Sequence, residues 1–548
     1  MIQLLGAGAA SIYLGGCTSI SKNTEPQVAS DWIDLFGPVD RSLGDHIALN
    51  FSGDNPVMAH EILWNKKAFL AKHGALNRPV EEADLVIVGG GMSGLLTAYN
   101  LKDLNPLVLD QAPRLGGNSR AESWRGLDYS LATAYFAIPE EGTKIEKFFK
   151  DLEIDKILRV REANDPIFID GVRYDDFWAK GTNEASKPQF QKLKKILEDT
   201  AKAENGEKYP NIPFDNDSDR KYVEKLDRMS FKQWAEKRLG PLHPHVEAVI
   251  EYYFWSAAAA SSTEISAAGG LNFFAADFGP IGVTPGGNAA IAKRILQDLA
   301  KTMKADRFRV NSLVFDVRVE KNHTLVSYWD GQAVKTVKAK AVVMSCPKFV
   351  AQRAIEGLEK KRLEVYKSLR YRSYMLANLL IDESLEDSFY DLFFFHEGSL
   401  DTGKVRDSAR RQRITDVVYG NYAKPRQPQT VLTLFRGYPY DEARSEILIP
   451  DAYPKYREEF DKQIRQEVLP QLKLHESKIV DLRIARWGHP LPLSEKGTIS
   501  KGKVEWLRKP FKNRVFFVEQ DNWMLPAFET CFYEADHFAP AIRKVVKA

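Results

Sequence analysis

The first clear pattern along the chain is a strand, a helix and a second strand between residues 84 and 110. "DLVIVG" is a short apolar run rich in β-branched residues, which predicts a buried parallel strand from Asp84 to Gly89. Apolar residues then recur at helical spacing in "MSGLLTAYNLKD", and "PLVLD" returns to a strand pattern that ends at Asp110. This order predicts neighbouring parallel strands joined by a helix.

Two later stretches extend the predicted sheet. Residues 308–347 alternate apolar and polar positions as a β-meander, with a hairpin signal at Asp330-Gly331 and a buried strand before Cys346-Pro347. Near the end, residues 515–518 form another apolar run that leads into a helical pattern. These patterns predict an α/β fold.

Composition bounds the class of protein. With 548 residues the chain is too long for one ordinary core, so we expect at least two packed domains. Hydrophobic residues at 44% and charged residues at 28% are typical of a soluble globular protein. The 77 basic and 74 acidic residues nearly balance, which argues against nucleic acid as a partner. The 3 cysteines include no CxxC pair, and we predict no metal site.

The glycines after the first strand point to a dinucleotide. Gly89, Gly91 and Gly94 satisfy GxGxxG, and Ser93 lies within the same turn. Such glycines permit a tight turn, a close approach of backbone to a pyrophosphate and close helix–strand packing, while the helix N-terminus favours phosphate. Asp110 ends the second strand, where an acidic side chain accepts hydrogen bonds from ribose hydroxyls, and Gln111 follows it.

A second glycine pair indicates which dinucleotide binds. "RLGGN", from Arg114 through Gly116 and Gly117 to Asn118, resembles the RxGG signature of the FAD-dependent amine oxidase superfamily. The resemblance implies FAD as cofactor, with the glycines on both sides of its pyrophosphate. It also implies a Rossmann-like domain of the glutathione-reductase type, with an inserted α+β substrate-binding domain.

Other segments resemble the same superfamily. "GPIGVTPGGNAAIAKRIL" is similar to its PxGGxxxL element, and the strand near Val314 corresponds to one that contacts the adenine side of FAD. Glu519 and Asp521 fall where the family places an acidic residue against the ribityl or pyrophosphate hydroxyls. Bulky residues such as Trp523 replace the family's glycine-rich run, so we expect surroundings of the isoalloxazine that differ from those in the family.

The resemblance also predicts domain boundaries. Residues 80–145, 276–350 and 500–548 would form the FAD-binding domain, and residues 146–275 and 351–499 the substrate-binding domain, after an N-terminal arm at 27–79. "RWGHP", from Arg486 to Pro490, and the order of the surrounding segments are similar to bacterial spermidine dehydrogenases.

The implied reaction is oxidation of an amine, such as a polyamine, by hydride transfer to flavin N5, after which the imine product hydrolyses. The candidate catalytic residues are Tyr135, Trp487 and His489, and further aromatic candidates for the cavity wall are Tyr129, Phe254 and Trp523. The electron acceptor stays open between oxygen and another carrier. Two alternatives remain: a desaturase or isomerase of the carotenoid or porphyrinogen type, and a non-catalytic, FAD-stabilised binding protein of the cell envelope.

The N-terminus suggests a location. "LLGAGAASIYLGGC" is an apolar run too short to span a membrane, and its last four residues resemble a bacterial lipobox ending at Cys17. Residues 1–26 would then be a lipoprotein signal and tether, with the protein anchored through Cys17 in the bacterial envelope or periplasm. No Lys or Arg precedes the run, so either Met1 is not the true start, or the segment is a buried helix and the protein is cytoplasmic.

Overall fold

A computed structural model gives the fold, and it describes residues 32, 35–36, 39–40, 49–76, 78–161, 165–386, 389–396, 398, 400 and 411–548. The N-terminal segment that contains Cys17 lies outside the described residues. The strands, in chain order, are β1 Val39–Asp40, β2 Ser52–Gly53, β3 Glu81–Val88, β4 Leu107–Leu109, β5 Ala121–Trp124, β6 Leu127–Ser130, β7 Phe136–Ala137, β8 Arg159–Arg161, β9 Ile167–Ile169, β10 Val172–Tyr174, β11 Ile281–Val283, β12 Phe308–Arg309, β13 Leu313–Val319, β14 Thr324–Trp329, β15 Val334–Met344, β16 Tyr371–Ile381, β17 Asp391–Phe395, β18 Asp416–Tyr419, β19 Thr430–Tyr438, β20 Ile479–Pro492 and β21 Val515–Phe517.

The α-helices of the described residues are interspersed among these strands. They are α1 Val57–Trp64, α2 Lys66–His73, α3 Met92–Asn100, α4 Lys144–Asp151, α5 Phe177–Lys180, α6 Lys187–Lys202, α7 Asp217–Asp227, α8 Phe231–Leu239, α9 Pro244–Ala258, α10 Ala267–Ala276, α11 Ala289–Leu299, α12 Lys348–Ala354, α13 Lys360–Lys367, α14 Ala443–Ile447, α15 Tyr453–Gln463, α16 Leu469–Leu472, α17 Lys503–Arg508 and α18 Phe528–Lys547. None of the described helices combines the length and the apolar character needed to cross a membrane.

The first large sheet contains the predicted strand–helix–strand unit. Its order is β12-β4-β3-β15-β14-β13, and β21 also pairs with β15. The pairs β12/β4, β4/β3, β3/β15 and β15/β21 are parallel, whereas β13, β14 and β15 form the antiparallel meander. Helices α3, α11 and α18 bury apolar faces in one core beside this sheet. The predicted α/β class is confirmed.

The second large sheet is mixed and formed mainly by the later half of the chain. Its order is β10-β9-β17-β18-β19-β16-β20-β2, with antiparallel pairs except for β9/β17 and β2/β20. The long strand β16 is buried along its whole length and pairs with β19 and β20. Helices α9 and α10 pack with α6 to α8 in a separate, aromatic-rich core.

The N-terminal arm joins the two parts of the fold. Strand β2 pairs with residues 485–486 of β20, and the Asp54 carboxylate accepts a hydrogen bond from the backbone N–H of Gly488 at 2.8 Å. Helices α1 and α2 then pack against the meander, where Ile62, Leu63 and Phe69 are buried. The predicted domain boundaries stay a prediction.

Candidate active site

One cavity of about 1130 Å³ collects most of the residues that the sequence singles out. Both large sheets and helix α1 contribute to its walls. The residues predicted for cofactor binding that line it are Gly89, Gly91, Ser93, Asp110, Gln111, Gly117, Asn118, Val314, Glu519 and Asp521, and the predicted catalytic residues Tyr135, Trp487 and His489 line it as well. Gly94, Arg114 and Gly116 do not.

Two glycines of the GxGxxG turn are required by close backbone contacts. Gly89 has φ +106°, and a Cβ there would lie 2.3 Å from the carbonyl oxygen of Ser345, at the end of β15. A Cβ on Gly94 would lie 1.9 Å from the carbonyl oxygen of Gly89. Gly94 therefore lets α3 approach the turn after β3, as the motif predicts. Gly94 itself does not line the cavity.

The two glycine segments meet across the cavity floor. Gly91 and Gly116 form an isolated bridge, and the backbone N–H of Gly116 donates to the carbonyl of Gly90 at 2.8 Å. A Cβ on Gly117, which has φ +58°, would lie 2.9 Å from the Cα of Gly91. The floor of this part of the cavity is therefore bare backbone, a surface on which a phosphate can approach N–H groups closely.

The positive charge beside this floor comes from Arg120, which the sequence placed in the wall after Asn118, whereas Arg114, predicted to add charge, does not line the cavity. The Arg120 guanidinium donates to the backbone carbonyls of Gly117 at 2.8 Å and Gly53 at 3.1 Å, and it lies 5.3 Å from the ring of Trp487. Arg120 lines the cavity. The reason for the correction is the chain direction: the loop turns at the glycine pair, so the residues after it face the cavity.

Asp110 organises the first turn as well as facing the cavity. Its carboxylate accepts hydrogen bonds from the backbone N–H groups of Gly90 at 2.5 Å and Ala112 at 2.7 Å. Burial raises the pKa of Asp110, and the backbone hydrogen bonds and Arg120 oppose that shift. Each carboxylate oxygen still has a further lone pair, so the predicted contact with a ribose hydroxyl is compatible with these bonds and stays a prediction.

A buried ionic network forms the wall at Glu519 and Asp521. The Lys348 ammonium is fully buried, contacts the Glu519 carboxylate and donates to the side-chain oxygen of Asn522 at 2.5 Å. Asp521 accepts hydrogen bonds from the backbone N–H of Lys348 at 2.9 Å and from the Tyr371 hydroxyl at 2.5 Å. Burial and Asp521 raise the pKa of Glu519 well above its usual value, and Lys348 opposes that rise.

The three predicted catalytic residues have different surroundings. Trp487 is buried and donates its indole N–H to the carbonyl of Leu131 at 2.8 Å, which fixes the ring as a wall. The His489 ring lies 4.3 Å from that of Phe349, and burial, followed by Arg444 and His60, lowers the pKa of His489 to about 3. The imidazole is therefore neutral near neutral pH, which fits a polar wall better than a general acid.

Tyr135 is 38% exposed, and it borders both the main cavity and a smaller pocket beside it. The negative charge of Asp277, followed by burial, raises the pKa of Tyr135 well above 10. Its hydroxyl therefore stays protonated, and its hydrogen bond to Asp277 helps to hold down the pKa of that carboxyl group.

The remaining aromatic wall candidates belong to the core. Trp523 is buried, donates to Glu534 at 2.8 Å and packs against Phe214, so it stands outside the cavity wall. Phe254 packs 4.7 Å from the ring of Phe231, and Tyr129 donates its hydroxyl to Glu122 at 2.8 Å. These three predictions were wrong because the side chains satisfy local packing and hydrogen bonds away from the cavity.

Three carboxyl groups that the sequence analysis missed converge on the cavity: those of Asp277, Asp391 and Asp416. The Asp416 carboxylate accepts hydrogen bonds from the hydroxyls of Ser256 at 2.5 Å and Thr415 at 2.6 Å, both on Oδ1. The Tyr253 hydroxyl donates to Asp277 at 2.6 Å. This leaves a concentration of acidic groups in a largely aromatic part of the wall.

Burial and mutual repulsion set the protonation of this cluster. Burial raises the pKa of Asp277 and of Asp416 from 3.8 to about 6. Burial, followed by the charges of Asp416, Asp165 and Asp277, raises the pKa of Asp391 well above its usual value. A cation placed between these carboxyl groups would offset both the burial of their charges and their mutual repulsion. Such a cluster is typical of a site for a positively charged ligand.

A sequence signal for the cluster exists. Asp391 opens "DLFFF" and Asp416 opens "DVVY", two apolar strands whose residues are mostly buried. An acid attached to such a strand has no solvent-facing side to occupy, so it must pair or face a cavity. The pattern identifies the residues individually, but only the pairing of β17 with β18 brings them together.

Comparison with known proteins identifies the family. The family model for flavin-containing amine oxidoreductases matches residues 92–489, which is most of the chain. The chain belongs to this family. The cofactor of this flavin-containing amine oxidoreductase is therefore FAD, and the protein is an oxidoreductase, as predicted.

Individual relatives are distant. The oxidoreductase PigB of a Serratia species is 21% identical over 84% of this chain and 75% of its own length. A cyclohexylamine oxidase from Brevibacterium oxydans has the same fold, with a TM-score of 0.61 and 17% identity over 85% of this chain and 100% of its own. A fatty acid isomerase from P. acnes also matches, with a TM-score of 0.59 and 14% identity over 84% and 98%. At these identities the structures show the fold alone.

The cavity of this flavin-containing amine oxidoreductase fits FAD. The glycine floor at Gly91 and Gly117 is a surface that any Cβ would fill, and the buried side-chain oxygen of Ser345 has no hydrogen-bond partner among the described residues. Its volume exceeds the roughly 300–1,000 Å³ of ordinary small-molecule pockets. The predicted residues between Gly89 and Asn118 that line the cavity, together with Val314, Glu519 and Asp521, would hold the cofactor. The part of the cavity beside the carboxyl groups of Asp277, Asp391 and Asp416 would then be left for a substrate.

Proposed function

We propose that this protein oxidises an amine that binds as a cation at the Asp277, Asp391 and Asp416 end of the FAD cavity. The observation that supports the proposal is the convergence of these three carboxyl groups on the cavity that holds the predicted cofactor residues. Burying three carboxyl groups in a cavity wall costs free energy, and a hydrocarbon or neutral substrate does not offset that cost. An ammonium group offsets it by pairing with them.

The cofactor supplies the oxidant: when FAD is bound, the carbon next to the amine nitrogen loses a hydride to it, and the amine becomes an imine. The imine then takes up water and releases a carbonyl compound. The chain must hold the substrate in place, keep water away from the reacting carbon and remove the extra proton from the amine nitrogen.

The residues of the cavity suit these tasks. Asp416, held on one oxygen by Ser256 and Thr415, keeps Oδ2 for the ammonium group. Because the pKa of Asp416 is about 6, its carboxylate is ionised at neutral pH and accepts a proton from a nearby ammonium more readily than an ordinary aspartate does. The apolar walls, including Trp487 and Phe435, disfavour the charged nitrogen and exclude water from the reacting carbon.

The resemblance of residues 486–490 to a stretch of bacterial spermidine dehydrogenases makes polyamines the first amines to test. The desaturase or isomerase alternative is favoured by the fold shared with a fatty acid isomerase, but the acidic end of the cavity opposes a fatty acid carboxylate.

The test is anaerobic bleaching of the purified, yellow holoprotein. Primary amines and polyamines are mixed with the holoprotein one at a time. An unsaturated fatty acid, which has no cationic nitrogen, is the comparison substrate. We expect at least one amine to bleach the flavin absorbance stoichiometrically, with formation of the carbonyl product, and the fatty acid to leave it unchanged. Bleaching or isomerisation with the fatty acid alone would overturn the proposal. Readmitting air, or an artificial acceptor such as a quinone, then shows which class of acceptor restores the absorbance.

A further inference from the structure

A side pocket of about 60 Å³ opens beside the main cavity, next to the carboxyl cluster. Tyr135, Tyr253, Asp277, Asp391 and Phe393 border both spaces, so the pocket is reached from the main cavity across these side chains. Because a space of about 10–15 Å³ on this scale admits one water molecule, the pocket has room for an ammonium or methylammonium group but not for a ring.

The walls of the side pocket are mostly aromatic. The rings that border it are those of Tyr135, Trp178, Tyr253, Phe274, Phe278, Tyr390, Phe393 and Phe395. Tyr135 and Tyr390 meet edge to face with centroids 6.1 Å apart, and Tyr253 stacks on Phe274 at 3.8 Å. An aromatic cage of this kind attracts cations through the negative faces of its rings.

Three buried polar side-chain atoms of the pocket wall lack partners among the described residues: the Tyr390 hydroxyl, Asp391 Oδ1 and Arg161 Nε. Tyr390 is 2% exposed, and its hydroxyl has no hydrogen-bond partner within the described ranges. The Oδ1 atom of Asp391 is also buried, and no described residue hydrogen-bonds to it. Buried polar groups are normally satisfied, so the two unsatisfied oxygens, on Tyr390 and Asp391, point to a ligand group that donates hydrogen bonds to them.

The only cationic side chain in the described wall of the pocket is already neutralised. Arg161 pairs with Asp165 at 2.7 Å and donates to the backbone carbonyl of Asp277 at 2.6 Å. The Asp165 carboxylate also accepts the backbone N–H groups of Tyr390 and Asp391, both at 3.1 Å. Burial raises the pKa of Asp277, and the charge of Arg161 opposes that rise. Asp391, whose pKa is raised by burial and by the charges of Asp416, Asp165 and Asp277, is therefore the carboxyl group left for an incoming cation.

We infer that this side pocket binds a second cationic nitrogen of the substrate, the one that does not react, so that Tyr390 and Asp391 select diamines and longer polyamines over monoamines. The inference rests on the proposed amine oxidation. A monoamine would leave the pocket empty and the Asp391 oxygen unpaired, whereas a second ammonium fills a space of its own size and gives both Tyr390 and Asp391 a partner.

The experiment compares each diamine with the monoamine of equal chain length, such as 1,4-diaminobutane with butylamine, by anaerobic flavin reduction. The proteins are the wild-type holoenzyme, Asp391→Asn, Tyr390→Phe and the control Asp461→Asn, whose carboxylate pairs with Arg465 on the surface. Both test variants keep the shape of the side chain. For the wild type we expect a preference for the diamine of about tenfold to a hundredfold in second-order rate, the range that a charged hydrogen bond supplies.

Tyr390→Phe, whose side chain lies outside the main cavity, should reduce this preference in part, while its reduction by the monoamine and the Asp461→Asn ratio stay at the wild-type values. Asp391→Asn also removes a carboxyl group from the proposed amine site, so it should slow reduction by both amines, and by the diamine far more, which brings the preference to near unity. A wild-type flavin absorbance in each purified variant shows that the variant is folded and binds FAD. Equal wild-type rates for the two amines, or a preference that survives Asp391→Asn, would overturn the inference and leave amine oxidation intact. A wild type that no amine reduces would instead remove the proposed function itself.

Discussion

Asp416 illustrates how a single side chain is placed for function at a cost to stability. Burial raises the pKa of Asp416 from 3.8 to about 6, so the native state binds its proton more tightly than the unfolded chain does. The contribution of this residue to the free energy of unfolding therefore falls as the pH rises from about 4 to above 6, the reverse of the usual behaviour of an aspartate. Asp277 has the same sign.

Asp416→Asn should accordingly stabilise the protein. The hydroxyls of Ser256 and Thr415 donate to Oδ1, which the asparagine amide oxygen can replace, and the uncompensated charge disappears. We expect a higher melting temperature at about pH 8 and a smaller gain at about pH 5, where the wild-type carboxyl is protonated. Thermal unfolding of the wild type and the variant at both pH values measures this, and a variant less stable at the higher pH would contradict it.

Lys348 was not identified from the sequence, yet it sets the charge of the wall that carries Glu519. We expect Lys348→Met to weaken FAD binding by about tenfold, because Glu519 would lose the buried cation that contacts its carboxyl group and orients it in the cavity wall.

Flavin fluorescence titration of the apoprotein measures this for Lys348→Met, Glu519→Gln and the double variant. If Lys348 acts through Glu519, the double variant binds FAD no more weakly than the weaker single variant. Additive losses would mean that Lys348 has a separate, structural role.

At the scale of elements, the strand–turn–helix from β3 to α3 carries the cofactor prediction. A valine at Gly91 would place methyl groups on the bare floor opposite Gly117, where a Cβ already lies 3.6 Å from the Gly117 Cα. Gly91→Val should abolish the flavin absorbance of the purified protein while far-ultraviolet circular dichroism stays that of a folded α/β protein. Ser123→Ala, on β5 away from the cavity, is the control. A yellow Gly91→Val protein would contradict the assignment of this turn.

The same scale shows where sequence analysis succeeds. The strands β3, β4 and β15 were predicted because buried parallel strands are continuous apolar runs, and the glycines mark the turn between β3 and α3. The mixed second sheet was foreseen only as an inserted α+β region. Its β16 pairs with β20 more than 100 residues away, and no local pattern encodes that register.

For the site, this means that motif residues such as Gly89 and Asp110 were found, whereas Asp277, Asp391 and Asp416 were missed. The first two belong to one continuous segment, but the acids come from three separate segments that only the tertiary fold brings to one cavity. Trp523 was wrongly predicted to line the cavity, because its position in a motif does not reveal that its indole N–H donates to Glu534.

At the scale of the whole molecule, both large sheets line the cavity that contains the predicted cofactor residues and the carboxyl groups of Asp277, Asp391 and Asp416. The location of the molecule stays a prediction, because Cys17 lies outside the described residues. We expect the full-length protein to fractionate with membranes in a bacterial host and Cys17→Ser to release it, since a lipid attached to the cysteine provides the anchor. Equal distribution of the two proteins between fractions would contradict a lipid anchor.

The most direct test of the account is rapid-mixing, anaerobic flavin reduction by the preferred amine in the wild type and in Asp416→Asn. If the acidic end of the cavity binds the substrate as a cation, wild-type reduction saturates with amine, and Asp416→Asn raises the half-saturating concentration by about tenfold or more. An unchanged half-saturating concentration in Asp416→Asn, or a wild-type flavin that only uncharged substrates reduce, would contradict the account.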